Sequence, residues 1–232
     1  MRAGSEPVHI DGLGTSPAVY SVAFSADGAR LACGSVDGSI HVWDGGTGAL
    51  IRTWEEESEV TWVQCSPVND SIVATASFDE ITLWDLDGEI PKTFTGCDFA
   101  AFSLDGRTIA TASAAEDVHD LLLVDAETGT LQLTLVGHQR TVYAACFSVD
   151  DGSKLASASE DGTCKVWDSS TGALLRTINV GDHILAVSWG HDWVRDTQRG
   201  AAFAMGHHPR LGERSEVLAL DAGVVRMILD RV

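Results

Sequence analysis

The chain has 232 residues, of which 44% are hydrophobic and 21% charged, so it can bury a core and is neither disordered nor collagen-like. Its 34 acidic and 15 basic residues give a formal net charge of -19. This charge repels phosphate backbones and anionic lipid head groups, and no apolar stretch reaches the roughly 18 to 20 residues of a membrane span, so we expect no nucleic acid and no membrane as partners.

The chain begins with a short polar stretch rather than a basic segment followed by an apolar run, so we predict no signal peptide. We accordingly expect the protein in the cytoplasm or the nucleus, where thiols stay reduced. The five cysteines form neither a CxxC pair nor a zinc-binding spacing. They are predicted to be buried thiols: Cys33, Cys65, Cys97, Cys146 and Cys164.

From residue 19 the chain contains four short runs in which apolar and polar residues alternate. A turn separates each run from the next, and this pattern predicts strands. The predicted strands cover residues 19–24, 31–35, 39–43 and 49–54. The turns contain Asp27-Gly28, Asp37-Gly38 and Thr47-Gly48, in which glycine supplies the positive φ of tight hairpins. The segment is therefore predicted to be one unit of four strands.

The end of the third strand recurs along the chain. Residues 35–44, 77–85 and 159–168 all end in Trp-Asp, and residues 123–125 are a weaker copy. The equivalent positions are spaced 41, 40 and 43 residues apart: Trp43, Trp84, Val124 and Trp167. A period of about 40 residues indicates a repeat architecture in which each unit covers its apolar faces by stacking on its neighbours.

With three Trp-Asp dipeptides in register, the chain from Val19 to Ile178 resembles the WD40 repeat family. The resemblance implies an all-β fold, a β-propeller array with four clear blades over residues 19–182. It further implies a rigid platform whose loops, rather than a reactive cleft, meet the partners. We expect a non-enzymatic scaffold or adaptor with protein or peptide partners, without cofactor or metal.

The fourth copy matches the family best. Gly137-His138 precedes its first strand, and Ser157, Asp161 and Trp167 fall where the family has a hydrogen-bonded tetrad with that histidine. The resemblance implies a structural role, because a buried aspartate and histidine are costly alone but lock a loop to a strand when paired. No catalytic residues are predicted, since P-loop, GxSxG and GxGxxG motifs are absent from the sequence.

The other copies depart from this pattern. Gly14-Thr15 and Gly96-Cys97 stand where Gly-His is expected, and the second copy has no evident equivalent. The second copy also has Glu80 in place of a turn glycine, and the third carries extra residues around 114–120. We expect incomplete tetrads and looser blades there.

After residue 182 the repeat fades into a divergent segment, 183–232. Residues 184–189 resemble one more first strand, but no Trp-Asp follows. The spacing of the apolar residues in this segment, with Asp221 as a possible N-cap, favours a helix. These residues are Leu218, Val224, Val225, Ile228 and Leu229. The alternative is a degenerate fifth blade, with residues 201–205 as its second strand and 218–221 as its third.

The way in which the array closes is left open. Residues 1–18 contain Val8-His-Ile10, which the resemblance makes a candidate outer strand for the last blade. Otherwise the chain is a piece of a longer array, or it forms an oligomer through unclosed propeller edges. The last option carries the alternative function, a sensor or assembly part of a larger signalling complex.

Histidines near the C-terminus are the main candidates for metal binding. His183, His191, His207 and His208, with Asp192 nearby, have ligand chemistry, but their spacing fits no known site, and we expect a polar turn instead.

Aromatic residues that begin the first strands are candidate partner-binding residues. They are Tyr20, Trp62 and Tyr143, and the alternative is that they pack between blades. An acidic run near residue 57 is a candidate site for a basic peptide, and the alternative is a solvated loop: Glu55, Glu56, Glu57 and Glu59.

Overall fold

A computed structural model describes residues 18–78, 80–88, 91–95, 97–113, 115, 117–181, 184–189, 216–219 and 225–229. These residues form an all-β fold of five antiparallel sheets and contain no helix. A helix long and apolar enough to span a membrane is accordingly not found among them. The predicted outer strand at Val8–Ile10 lies outside the described residues.

The first four sheets contain four strands each, paired in chain order, and confirm the four predicted blades. Blade 1 consists of β1 (Val19–Phe24), β2 (Arg30–Ser35), β3 (Ser39–Asp44) and β4 (Leu50–Glu55). Blade 2 consists of β5 (Trp62–Cys65), β6 (Ile72–Ala76), β7 (Glu80–Asp85) and β8 (Lys92–Thr95). Blade 3 consists of β9 (Cys97–Phe102), β10 (Thr108–Ala112), β11 (Leu121–Asp125) and β12 (Leu131–Leu135). Blade 4 consists of β13 (Val142–Phe147), β14 (Lys154–Ser159), β15 (Thr163–Asp168) and β16 (Leu174–Asn179).

The fifth sheet corrects part of the sequence interpretation. It consists of β17 (Ile184–Trp189), β18 (Glu216–Ala219) and β19 (Val225–Leu229), in the order β17-β19-β18. The predicted helix is therefore wrong at residues 218–219 and 225–229, which lie in strands. Short apolar runs do not separate helix from strand by spacing alone, and pairing of Val187 with Met227 supplies the ladder that decides for strand. Residues 201–205 lie outside the described residues.

The Trp-Asp dipeptides occupy equivalent places at the ends of third strands, as predicted. In each blade the residue before the aspartate pairs with an aliphatic residue of the second strand: Trp43 with Leu31, Trp84 with Val73, Val124 with Ile109 and Trp167 with Leu155. The period in the sequence is thus the period of the sheets.

The aspartate of the dipeptide closes the turn into the fourth strand. In blade 4 one oxygen of Asp168 accepts hydrogen bonds from the amide and the hydroxyl of Thr171, both at 2.8 Å. Asp44 and Asp125 hold their turns in the same way. Hydrogen bonds from Ser170 and Thr171 lower the pKa of Asp168 to about 2, so this acceptor stays ionised.

Blades 2, 3 and 4 each pack one apolar face on the blade before them. Phe147, Leu155 and Trp167 of blade 4 share a buried cluster with Leu121 and Leu123 of blade 3. The corresponding faces of blades 3 and 2 are buried against blades 2 and 1. The first strands lie side by side in chain order, with β1 beside β5, β5 beside β9, β9 beside β13 and β13 beside β17. This stacking forms the core.

Phe24 is an exception to this burial. Its side chain is 62% exposed, whereas the equivalent Phe102 and Phe147 are 6% and 7% exposed. Blade 1 follows no other sheet in the described part of the chain, so Phe24 lacks the cover that its counterparts receive. Trp43 on the same face is 1% exposed, and the uncovered region is therefore the end at Phe24.

Cysteines in three blades are buried and free. Cys33 lies in β2, Cys65 in β5 and Cys164 in β15. Burial raises the pKa of the Cys33 thiol to about 11 and those of Cys65 and Cys164 to about 12. Cys146 is only half-buried, and the side chain of Cys97 lies outside the described residues.

Candidate functional site

The structure brings the four predicted tetrad residues of blade 4 together in one hydrogen-bonded chain. The indole nitrogen of Trp167 donates to Ser157 Oγ at 2.9 Å, and this oxygen lies 2.8 Å from His138 Nε2. His138 Nδ1 lies 2.9 Å from Asp161 Oδ2. Because the carboxylate only accepts, His138 carries its proton on Nδ1 and accepts from Ser157 through Nε2.

Burial and hydrogen bonding set the charge states in this chain. Burial lowers the pKa of His138, although Asp161 opposes that shift, so the imidazole is neutral near pH 7. Burial disfavours the ionised form of Asp161, but hydrogen bonds from Thr163, Gln139 and His138 outweigh it and lower its pKa to about 2. A neutral histidine thus bridges an ionised aspartate and a serine.

The chemistry open to this tetrad is limited by access. Ser157 is 0% exposed, and its oxygen already contacts both Trp167 and His138. A serine nucleophile needs room for a substrate carbonyl beside its oxygen. The arrangement fastens the loop at His138 to strands β14 and β15 and leaves no such room.

Blade 2 contains a variant of the tetrad that sequence reasoning missed. Trp84 Nε1 donates to Thr75 Oγ1 at 2.9 Å, and the Thr75 hydroxyl donates to Glu56 Oε1 at 2.5 Å. Glu56 precedes Val60 by four residues, just as His138 precedes Val142. That spacing was the available signal. The other carboxylate oxygen, Glu56 Oε2, is buried without a hydrogen-bond partner.

Blade 1 has the tryptophan of the tetrad but not its acceptor. Cys33 pairs with His41 in the ladder as Ser157 pairs with Lys165, so Cys33 stands at the serine position. The indole nitrogen of Trp43 is buried and has no hydrogen-bond partner. His41 stacks on this indole, with ring centroids 5.4 Å apart.

The candidate partner-binding aromatics do not occupy one equivalent position. Tyr20, Trp62 and Tyr143 are all half-buried. Trp62 pairs with Ala76, as Ala144 pairs with Ala158, so it stands one residue further along its strand than Tyr143. Its ring meets Phe99 edge-on at 6.4 Å, and its indole nitrogen is buried without a partner. Trp62 therefore packs between blades.

Loops emerge at two ends of the sheets, which we call the upper and lower faces. The upper face comprises residues 36–38, 56–61, 77–78, 113, 115, 117–120, 136–141, 160–162 and 180–181, and the lower face comprises residues 25–29, 45–49, 66–71, 86–88, 103–107, 126–130, 148–153 and 169–173. Two hollows of about 520 and 850 Å³ open between blades on the lower face. Their carboxylates are largely engaged in turns, as Asp105 and Asp125 illustrate.

The acidic run leads to a third hollow, on the upper face. We call it the acidic hollow, and its volume is about 380 Å³. Asp37, Glu57, Ser58, Glu59 and Phe78 line it together with Val36 and Thr61. Glu57 and Glu59 are exposed, and Phe78 is 82% exposed. Glu56, the fourth member of the run, turns inward to Thr75 instead.

Within the part of the chain that the structure describes, no group of three or more metal-ligating side chains is close enough to hold an ion. The predicted histidine cluster, His183, His191, His207 and His208 with Asp192, lies outside that part.

Comparisons with known proteins agree with this architecture. The family model described as "WD domain, G-beta repeat" matches residues 6–44 and 129–168. The chain is 28% identical over 187 residues to U3 small nucleolar RNA-associated protein 15 homolog of Xenopus tropicalis, covering 77% of this chain and 35% of that protein. It is 26% identical over 216 residues to Methylosome protein WDR77 of Xenopus laevis, covering 88% of this chain and 64% of that protein. The chain thus spans less than two thirds of these relatives.

A solved structure shares the fold. A chain in the crystal structure of the mitotic checkpoint complex superimposes with a TM-score of 0.66 at 22% identity. The match covers 74% of this chain and 56% of that one.

Proposed function

We propose that this chain, in which two segments match the WD40 repeat model, is a non-enzymatic scaffold or adaptor that holds protein partners on its upper face. The observation that carries the proposal is the exposure of large apolar side chains on upper-face loops. Phe78 is 82% exposed and Val136 is 70% exposed, more than any other large apolar side chain in the described residues, whereas Val68 on the lower face is 62% exposed. Such side chains mark contact sites when they stand on a rigid scaffold. The tetrad residues, in contrast, are buried and engaged within blade 4.

Similar proteins support a place in an assembly. One relative is named for the methylosome, another for the U3 small nucleolar RNA, and the solved chain belongs to a checkpoint complex. By analogy, we place this chain among protein partners in the nucleus or the cytoplasm. Its charge of -19 favours basic protein surfaces over nucleic acid or anionic lipid.

Affinity capture followed by mass spectrometry tests the proposal. The tagged chain is compared with a double variant of the upper face, Phe78→Ser with Val136→Ser. Leu50→Ser is the matched control, because Leu50 is 53% exposed but lies on the outer strand β4. We expect partners to be lost by the double variant and kept by the control. Equal retention by both variants, or no partner for the wild type, contradicts the proposal.

An assembly role through the exposed end of blade 1 at Phe24 is the second candidate. The exposure of Phe24, which its counterparts in blades 3 and 4 do not share, favours it. Light scattering separates the two functions: a monomer supports the platform, whereas a defined oligomer that Phe24→Ser dissociates supports assembly.

A further inference from the structure

The acidic hollow has a counterpart at the junction of blades 3 and 4, and the two differ in one respect. Ladder registers make Ser58 equivalent to Arg140 and Phe78 equivalent to Glu160. At the later junction Arg140 Nη1 lies 3.2 Å from Glu160 Oε1, and this ion pair ties the two upper loops together. At the earlier junction the short Ser58 side chain leaves a hollow below Phe78.

The loops around the acidic hollow are fixed by their backbone. Glu56 N donates to Gly38 O at 2.9 Å, and Val60 N donates to Ser35 O at 3.1 Å. A Cβ on Gly38, whose φ is +84°, would lie 2.3 Å from Glu56 O, so only glycine lets these loops approach. A binding segment therefore meets a preformed surface, which lowers the entropic cost of binding.

The chemistry of the lining is suited to a cation. One oxygen of Asp37 accepts from Ser39, and hydrogen bonds from Ser39 lower the pKa of Asp37, which keeps it ionised. Glu57 and Glu59 add two carboxylates without hydrogen bonds or ion pairs among the described residues. Phe78 offers an exposed ring face, and guanidinium groups stack on such faces and pair with carboxylates in bidentate fashion.

We propose that the acidic hollow binds an arginine-containing segment of a protein partner, with the guanidinium between Phe78 and the carboxylates of Glu57 and Glu59. The partner's arginine thus supplies a cation of the kind that Arg140 supplies within the chain at the other junction. This inference rests on the proposed scaffold function and names its ligand class and its site.

The test uses the full chain and a fluorescein-labelled heptapeptide of glycine and serine with two arginines. A matched peptide carries citrulline, which keeps the shape but not the charge, in place of arginine. We expect binding of the arginine peptide and at least about fivefold weaker binding of the citrulline peptide. Amide chemical shifts are expected to move at residues 36–38, 57–61 and 78.

Three variants test the individual contacts. Phe78→Ala should weaken binding about fivefold while Phe78→Trp retains it, because the larger ring stacks at least as well. Ser58→Arg should abolish binding, because it places an arginine of the chain itself at the hollow. Glu127→Gln is the control, since it removes one exposed charge from the lower face, and it should change affinity less than about twofold.

Each outcome decides the matter. If binding weakens as much in Glu127→Gln as in Phe78→Ala, it reflects the overall negative charge of the chain, and the proposal is overturned. A wild type that does not bind the arginine peptide also overturns it. If cellular partners are captured equally by the wild type and by Ser58→Arg, the scaffold function stands and this inference fails. If no partner is captured by the wild type, the scaffold function fails.

Discussion

The carboxylate of Glu56 accepts a 2.5 Å hydrogen bond from the hydroxyl of Thr75. This contact does in blade 2 what the histidine–serine contact does in blade 4, since it joins the loop between two blades to the tryptophan of the third strand. An acidic side chain thus replaces an imidazole as the acceptor.

Removal of this acceptor should destabilise the fold. In Glu56→Ala the Thr75 hydroxyl, buried with Trp84, loses its short acceptor and keeps only the Thr82 carbonyl at 3.4 Å, so we expect the free energy of unfolding to fall by about 1 to 2 kcal/mol. Urea denaturation measures the change. Glu57→Ala, one residue further along and exposed, should stay within about 0.5 kcal/mol. Equal effects of the two variants would show that the contact contributes nothing.

Serine at position 33 should stabilise blade 1 more than alanine does. The buried indole nitrogen of Trp43 has no acceptor, and a hydroxyl at position 33 provides one, as Ser157 does for Trp167. We expect Cys33→Ser to gain about 1 kcal/mol over Cys33→Ala, which offers no acceptor. Thermal melts of both variants decide the point, and a serine variant no more stable than the alanine variant contradicts it.

Truncation of equivalent phenylalanines should have unequal costs. Phe147 is 7% exposed and packs in the core between blades 3 and 4, so Phe147→Ala should cost about 3 to 4 kcal/mol. Phe24 is 62% exposed, so Phe24→Ala should cost less than about 1 kcal/mol. Denaturant midpoints compare them, and similar losses would mean that Phe24 is covered in solution.

Stability should fall on mild acidification because of His138. Burial lowers its pKa below 6.5 in the fold, so the unfolded chain takes up a proton at a higher pH than the folded chain. The stability that the neutral imidazole provides is therefore present above pH 6.5 and is lost as pH falls towards the folded pKa. The carboxyl of Asp161, with a pKa of about 2, acts in a separate window below pH 4.

Melting temperatures between pH 7.5 and 5.5 measure this effect. The slope should be shallower in His138→Gln than in the wild type, because glutamine does not titrate. Identical slopes would assign the pH dependence to other groups.

The repeat period was sufficient to predict the four blades, because Trp-Asp marks the end of the third strand in three of them, Val124-Asp125 marks it in blade 3, and the turn residues follow from hairpin geometry. The C-terminal segment was not predictable in this way, since the spacing of its apolar residues suits both a helix and a strand. The pairing of β19 with β17 decides for strand. The placement of Trp62 depended on register: it stands one position beyond Tyr143, where a side chain faces the neighbouring blade. Residue type alone does not reveal such an offset.

In the site, the identity of the residues was informative where the family pattern held and misleading where it did not. Gly-His located the tetrad of blade 4, but the same search passed over Glu56, which differs in type and agrees only in spacing. The acidic hollow was visible only as a run of glutamates. Its exposed phenylalanine, Phe78, comes from a different loop, and the sequence does not show that the two meet.

The buried cysteines give each of three sheets an internal reporter. With pKa values of about 11 to 12, Cys33, Cys65 and Cys164 remain protonated and shielded from alkylating reagents while their own sheet is intact. Pulsed thiol labelling followed by peptide mapping would therefore time the opening of blades 1, 2 and 4 separately, in one sample and without any engineered cysteine.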